Sequence, residues 1–145
     1  MHLSPCVGAR EAAHGRHRCG RPIVRRDTTA RRRGERAGRL AESLCALHLR
    51  LRGYVVLARR FRGPAGEVDI VARRGSTVVF VEIKLRRTLA DALESLGPRQ
   101  RRRISATAEV FLASRPKLSG LDARFDIMLV VPWRLPVHIA NAWHI

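Results

Sequence analysis

The chain reads as an α/β protein: a layered β-sheet with helices packed against it. Three observations predict this. Residues 66–84 form two β-branched, apolar runs joined at Arg74-Gly75-Ser76, the pattern of a hairpin. Apolar residues recur with helical spacing both before and after that hairpin. A stretch at 124–131 alternates apolar residues on one face with Asp126 on the other, as a half-buried strand does. The resulting order, helix, three strands, helix, two strands, is that of a layered sheet carrying helices.

Taken in order, residues 1–33 are rich in Arg, Gly, Pro and His and show no apolar periodicity, so they read as a basic disordered extension. Their Cys6, His14, His17 and Cys19 are types that bind zinc, but the spacing matches no familiar finger. An Arg-rich, acid-poor start also resembles a transit peptide loosely, and a misassigned start codon would produce such a stretch too. The folded domain is placed at 34–145. From about Glu35 to Arg52, Ala37, Leu40, Ala41, Leu44, Leu47, His48 and Leu51 form an apolar stripe, ended by Gly53. Glu42 lies beside this stripe, and His48 on it reads as a satisfied core histidine. Tyr54 to Arg60 reads as a strand, and 62–66 as the turn into the hairpin.

Beyond Lys84 come Arg86 and Arg87, then a short helical piece over 89–96. Gly97-Pro98 restarts a helix whose Ile104, Thr107, Ala108, Phe111 and Leu112 repeat on one face until Pro116. Its first turn carries Arg99, Gln100, Arg101, Arg102 and Arg103. Cations there oppose the helix dipole, which makes sense if an anion docks, although a solvated basic face is an equal alternative. A polar loop over 115–122, the strand at 124–131 and a last strand over 137–143 complete the chain.

Composition narrows the function classes. With 145 residues the chain is long enough for one real core. The formal net charge is +17, and residues beyond 33 still carry +10, so the folded part is itself basic. Such a field attracts polyanions, nucleic acid first. Cys6, Cys19 and Cys45 form no CxxC pair, which fits a reducing cytoplasm better than a disulfide scaffold. No apolar run approaches the roughly 18 residues of a membrane span, so no membrane partner is expected. Aromatic residues are few, which argues against a stacking platform for single-stranded bases.

Charges interrupt the hairpin where an apolar sheet should have none. Glu67 and Asp69 share one face of the first strand, and Glu82 and Lys84 one face of the second. With the turn near 74–76, Asp69 falls close to Glu82 across the ladder. Paired carboxylates on a sheet are costly to desolvate unless they pair or hold a cation. Mg²⁺ (or Mn²⁺) suits such oxygens, and a lysine two residues on can orient water or neutralise developing charge. An ion pair closing the hairpin's end is the plain alternative. Only Lys84 and Lys117 are lysines among 29 basic residues, so a lysine at 84 stands out.

An Asp followed on the next strand by Glu-x-Lys resembles the signature of the restriction-endonuclease-like, PD-(D/E)xK nucleases. The wider set Gly38-Arg39-Leu40-Ala41-Glu42, Gly53-Tyr54, Gly66-Glu67-Val68-Asp69, Phe80-Val81-Glu82-Ile83-Lys84 and Arg124-Phe125-Asp126 is similar to the YraN-like family of uncharacterised bacterial proteins. That family is assigned to the same superfamily and is related in pattern to Holliday-junction resolvases. The resemblance spans about 34–143 and implies a mixed sheet flanked by helices. It implies Asp69 and Glu82 as metal ligands, helped by Glu42 with Glu35 as fallback, and Lys84 as the catalytic lysine. Glu67 and Gln100 would stand behind these groups. Two positions depart from the pattern: the residue before Phe61, often Asn in the family, is Arg60, and a usual Lys is Arg99 or Arg101. The expectation is a Mg²⁺- or Mn²⁺-dependent nuclease whose Arg86, Arg87, Arg99, Arg101, Arg102 and Arg103 hold DNA, with branched DNA as a candidate substrate. The alternative is a nucleic-acid-binding module that does not cleave. A homodimer is expected only through the resolvase comparison.

Overall fold

The computed structural model describes residues 28–144. Helix α1 (Thr28–Leu51) leads into strands β1 (Val55–Gly63), β2 (Gly66–Arg74) and β3 (Thr77–Leu85). The short α2 (Leu89–Glu94) and the longer α3 (Pro98–Ala113) follow, then β4 (Asp122–Val130) and β5 (Val137–Trp143). One five-stranded sheet runs β1-β2-β3-β4-β5. It is antiparallel except between β3 and β4, which α2 and α3 connect as a parallel crossover. This is the mixed, helix-flanked sheet that the family resemblance implies.

Each face of the sheet has its own core. Ile104, Ala108 and Phe111 of α3 pack on Val78, Phe80, Phe125, Ile127 and Trp143. Phe125 stacks on Phe80 and Trp143, and Phe111 meets Phe80 edge-on. On the other face Ala41, Cys45, Ala46 and Leu49 of α1 meet Ile70, Ala72, Val79, Val81 and Met128. Burial pushes the Cys45 thiol up to about 12, so it behaves as a small apolar group.

Three readings of α1 need correction. The helix begins at Thr28, ahead of the start read near Glu35. Its first turns are exposed and polar, and apolar periodicity cannot register a helix end that buries nothing. Its core face is also rotated from the predicted stripe. Leu40, Leu44, Leu47 and Leu51 stay half exposed or more, while smaller Ala41, Cys45 and Ala46 face the sheet. The helix carries two apolar stripes, and the one with small residues allows closer approach. His48 is only half-buried, and its Nε2 is buried without a hydrogen-bond partner, so it is not a satisfied core histidine. Burial, then the charges of Arg52 and His138, hold its pKa below the usual range. The Cys6, His14, His17 and Cys19 set and the rest of 1–27 lie outside the described residues.

Alternation breaks where the carboxylates sit. Strict alternation would send Val68 and Ile70 to one face; instead Val68 joins the α3 core and Ile70 the α1 core. The slip falls at Asp69. On β1, Phe61 pairs with Val68 and Arg59 with Ile70, leaving Arg60 opposite Asp69 with a left-handed φ of 50°. The β2–β3 ladder stops at Ile70 and Val81, so the strands fork just beyond it.

The β4–β5 connection contains a second backbone oddity. The Arg134 N–H donates to the Val131 carbonyl at 3.2 Å, closing a turn with Pro132 second and Trp133 third. Trp133 has φ 64°, so the turn is of the type II class, whose third position ordinarily takes Gly. Left-handed backbone costs a bulky L-residue about 1–2 kcal/mol.

Candidate active site at the strand fork

Asp69 lies between the layers because of the alternation slip. It lines two clefts, one of about 460 Å³ toward α1 and one of about 620 Å³ toward α3. Its Oδ2 accepts the Ile83 N–H at 2.8 Å, bridging the fork; no other hydrogen bond reaches it among the described residues. Burial first, then the charge of Glu82, push its carboxyl up to about 7, against the pull of the Ile83 N–H. Glu42 and Glu67 add to the rise.

Glu82 and Lys84 project on the α3 face and are almost wholly buried, with side chains 10% and 11% exposed. Lys84 Nζ donates to Glu82 Oε1 at 2.9 Å and to Gln100 Oε1 at 3.2 Å. Gln100 Nε2 donates to the same Glu82 oxygen at 2.6 Å. The three side chains form a closed triangle tying β3 to the first turn of α3. Gln100 therefore fixes the positions of both charged side chains.

Glu42 reaches the α1-side cleft from the helix, with its side chain 9% exposed. Its Oε1 is buried with no hydrogen-bond partner, and the nearest cation, Arg59 Nε, stands 3.8 Å away. Glu35 lines the same cleft from an exposed position. Glu67 is engaged elsewhere: Arg60 Nε at 2.8 Å and Arg62 Nε at 2.7 Å hold it. The Arg60 hydrogen bond, aided by Arg62, keeps its carboxyl below the usual range. It influences Asp69 by charge and does not touch it.

The expected metal set is brought near without being closed. Among the described residues no three His, Cys, Asp or Glu side chains gather into a ready-made cage. Yet the donor chemistry fits a hard cation. An orphaned carboxylate oxygen on Glu42 and a carboxyl on Asp69 short of donors share one cleft, and Mg²⁺ commonly takes one or two carboxylates plus waters.

The six arginines expected to hold nucleic acid divide in two. Arg101 Nε donates to the Leu96 carbonyl at 3.0 Å and Arg103 Nε to the Ala65 carbonyl at 2.9 Å, so both brace backbone. Arg86 folds onto the Leu85 carbonyl. Arg87, Arg99 and Arg102 are exposed, and Arg99 lines the α3-side cleft. The sequence reading missed Arg60 and Arg62, which line the α1-side cleft. Their signal was present: two arginines on the strand flanking Gly-Glu-x-Asp.

A second buried carboxylate, Asp126, also escaped that reading as a partner group. It is fully buried on the α1 face. Arg124 donates to both its oxygens at 2.8 Å, His138 Nε2 lies 2.8 Å from Oδ2, and the Asn141 N–H meets Oδ1 at 2.8 Å. Arg124 also reaches the Tyr54 hydroxyl at 3.0 Å.

Comparison with known proteins places these features in a family. Residues 41–130 match the uncharacterised protein family UPF0102, a span that includes Glu42, Asp69, Glu82, Lys84 and Gln100. A UPF0102 protein of Paramagnetospirillum magneticum is 53% identical over 120 residues, 80% of this chain and 93% of its own. One from Mesorhizobium japonicum is 44% identical over 84% of this chain and 98% of its own. One from Maricaulis maris is 50% identical over 80% and 91%. The chain belongs to the UPF0102 family, the YraN-like group to which its motifs point.

Proposed function

We propose that this protein binds DNA and hydrolyses phosphodiester bonds with the help of Mg²⁺ or Mn²⁺. The observation that carries the reading is the under-neutralised carboxylate pair, Asp69 and Glu42, beside a buried Glu82–Lys84 pair in a basic cleft. Asp69 and Glu82 would hold the cation, with Glu42 reaching it from α1. A divalent cation there supplies charge neutralisation and lowers the pKa of water.

The chain's own groups do the rest. Lys84 is held by Glu82 and Gln100, and its ammonium would offset charge developing on a phosphoryl oxygen. Asp69 keeps a proton near neutrality until a cation replaces it. Arg99 and Arg102 at the start of α3, with Arg60 and Arg62 across the fork, bind backbone phosphates without reading bases. Binding should therefore weaken steeply with salt.

One observation favours a second reading, a DNA-binding module that does not cleave. Glu82 Oε1 already accepts from both Lys84 and Gln100, and no three-ligand cage is formed among the described residues. The experiment separating the two is cleavage of labelled linear, single-stranded and branched DNA with Mg²⁺ or Mn²⁺ by wild type and Glu82→Ala. Cleavage by wild type alone supports the enzyme. Tight binding without cleavage by either supports the module, and equal cleavage by both points to a contaminant.

A further inference from the structure

We infer that Trp133 is a stacking site for an unstacked nucleobase, so that the DNA this protein prefers carries a branch or bulge. The inference rests on the DNA-binding reading above and assigns the substrate class of the same end of the molecule. Trp133 is 102% exposed and covers nothing in the fold. It occupies the third position of a type II turn with φ 64°, where Gly would fit without strain. A bulky residue kept in that conformation, with its ring in solvent, marks a side chain displayed for contact. Pro132 and Pro136 bracket the turn and limit its freedom, so the ring is presented at little entropic cost.

The location selects the partner. Strands β3 and β4 are parallel, and Lys84 pairs with Leu129 and Leu85 with Val130. The turn begins at the next residue, so Trp133 emerges at the end of the sheet that holds Lys84. Strand spacing and chain length put the two Cα atoms about 20 Å apart at most. Exposed Arg86, Arg87 and Arg134 lie at that end. An aromatic ring among arginines suits a base above a phosphate backbone, where each stack is sequence-tolerant. Paired bases inside a duplex offer the ring no free face; a branch point does.

The test measures binding to a labelled linear duplex and to a labelled four-way junction by anisotropy, without divalent cation, for wild type, Trp133→Ala and Trp133→Phe. The buried Trp143 leaves Trp133 as the solvent-facing fluorophore among the described residues, so its emission is followed in parallel. Wild type should prefer the junction by about tenfold, the equivalent of about 1.4 kcal/mol and within the range of one base–aromatic stack. Its emission should be quenched by the junction only. Trp133→Ala should lose the preference while keeping its duplex affinity, and Trp133→Phe should retain part of it. Trp133→Gly should lose it with an unchanged or higher melting temperature, which excludes a folding defect. An unaltered preference in Trp133→Ala, or quenching absent throughout, overturns the stacking site and leaves DNA binding standing. Loss of self-association in Trp133→Ala with DNA binding unchanged overturns it in favour of a protein contact. Failure of wild type to bind any DNA overturns both readings.

Discussion

Two carboxylates sit in neighbouring parts of this sheet, Asp126 fully buried and Asp69 half-buried, and the protein treats them in opposite ways. Asp126 receives two bonds from Arg124, one contact from His138 and one backbone N–H. Burial alone would raise its pKa, but those donors together hold it below the usual carboxylate range. Asp69 has one backbone donor and three carboxylate neighbours, Glu82, Glu42 and Glu67, and its carboxyl is pushed up to about 7. A fully satisfied charge welds β4 to β5. An unsatisfied one stores unfavourable energy that a bound cation would release. The more deeply buried of the two has the lower pKa, so the number of donors decides and burial does not.

The largest expected effect breaks the welded side. Asp126→Ala leaves Arg124, His138 and the Asn141 N–H without their acceptor and should destabilise the fold by about 3–5 kcal/mol in urea unfolding. Asp69→Asn keeps an acceptor for Ile83 and should leave stability equal or higher. Equal losses in both variants would erase the contrast drawn here.

The pH dependence sharpens it next, because the two groups have opposite signs. Asp69 has its folded pKa raised, so the native state binds more protons and stability falls as pH rises from about 4 to about 7. Asp126 has its folded pKa lowered, so its contribution is present above its unfolded value and is lost as pH falls through the folded one. Melting curves from pH 4 to 8 should show the neutral-side decline in wild type and lose it in Asp69→Asn.

Cation binding comes third. If the proposed site holds Mg²⁺, the ion at tenfold its dissociation constant should stabilise by about 1.4 kcal/mol, and a fixed concentration should stabilise more at pH 8 than at pH 6, since Asp69 would have to release its proton first. Asp69→Asn should abolish that rise and Glu42→Gln reduce it. A rise unaffected by either substitution would place the cation elsewhere.

The smallest effect lies opposite Asp69. Arg60 holds a left-handed φ of 50°, a conformation in which Asn is enriched. This accounts for the Asn common there in the YraN-like pattern. Arg60→Asn gives up an exposed pair with Glu67 and should still raise the melting midpoint slightly.

Much of this was legible in the residues. Asp69, Glu82 and Lys84 stand out because a charge inside a β-branched run has few innocent explanations, and period-2 alternation assigns Glu82 and Lys84 to one face. The short helical piece over 89–96 and the helix from Pro98 with buried Ile104, Ala108 and Phe111 follow from local punctuation and period. The side of α1 that faces the sheet was not legible. Its leucine stripe looks like the core face, but close approach to the sheet favours Ala41, Cys45 and Ala46. Nor could the start of α3 reveal that Arg101 and Arg103 fold back onto carbonyls while Arg99 and Arg102 do not, because a long side chain's direction depends on distant neighbours.

By itself, then, the sequence determined the layered α/β class, the hairpin, its three charged positions and the basic surface, since period and composition are local properties. Only the tertiary structure decided that alternation slips at Asp69, that Glu42 meets it with an orphaned oxygen, and that Gln100 locks Lys84 to Glu82. It alone joined Arg124 and His138 to Asp126. Each depends on residues far apart in the chain meeting in a place with few donors, and no window of sequence contains that count.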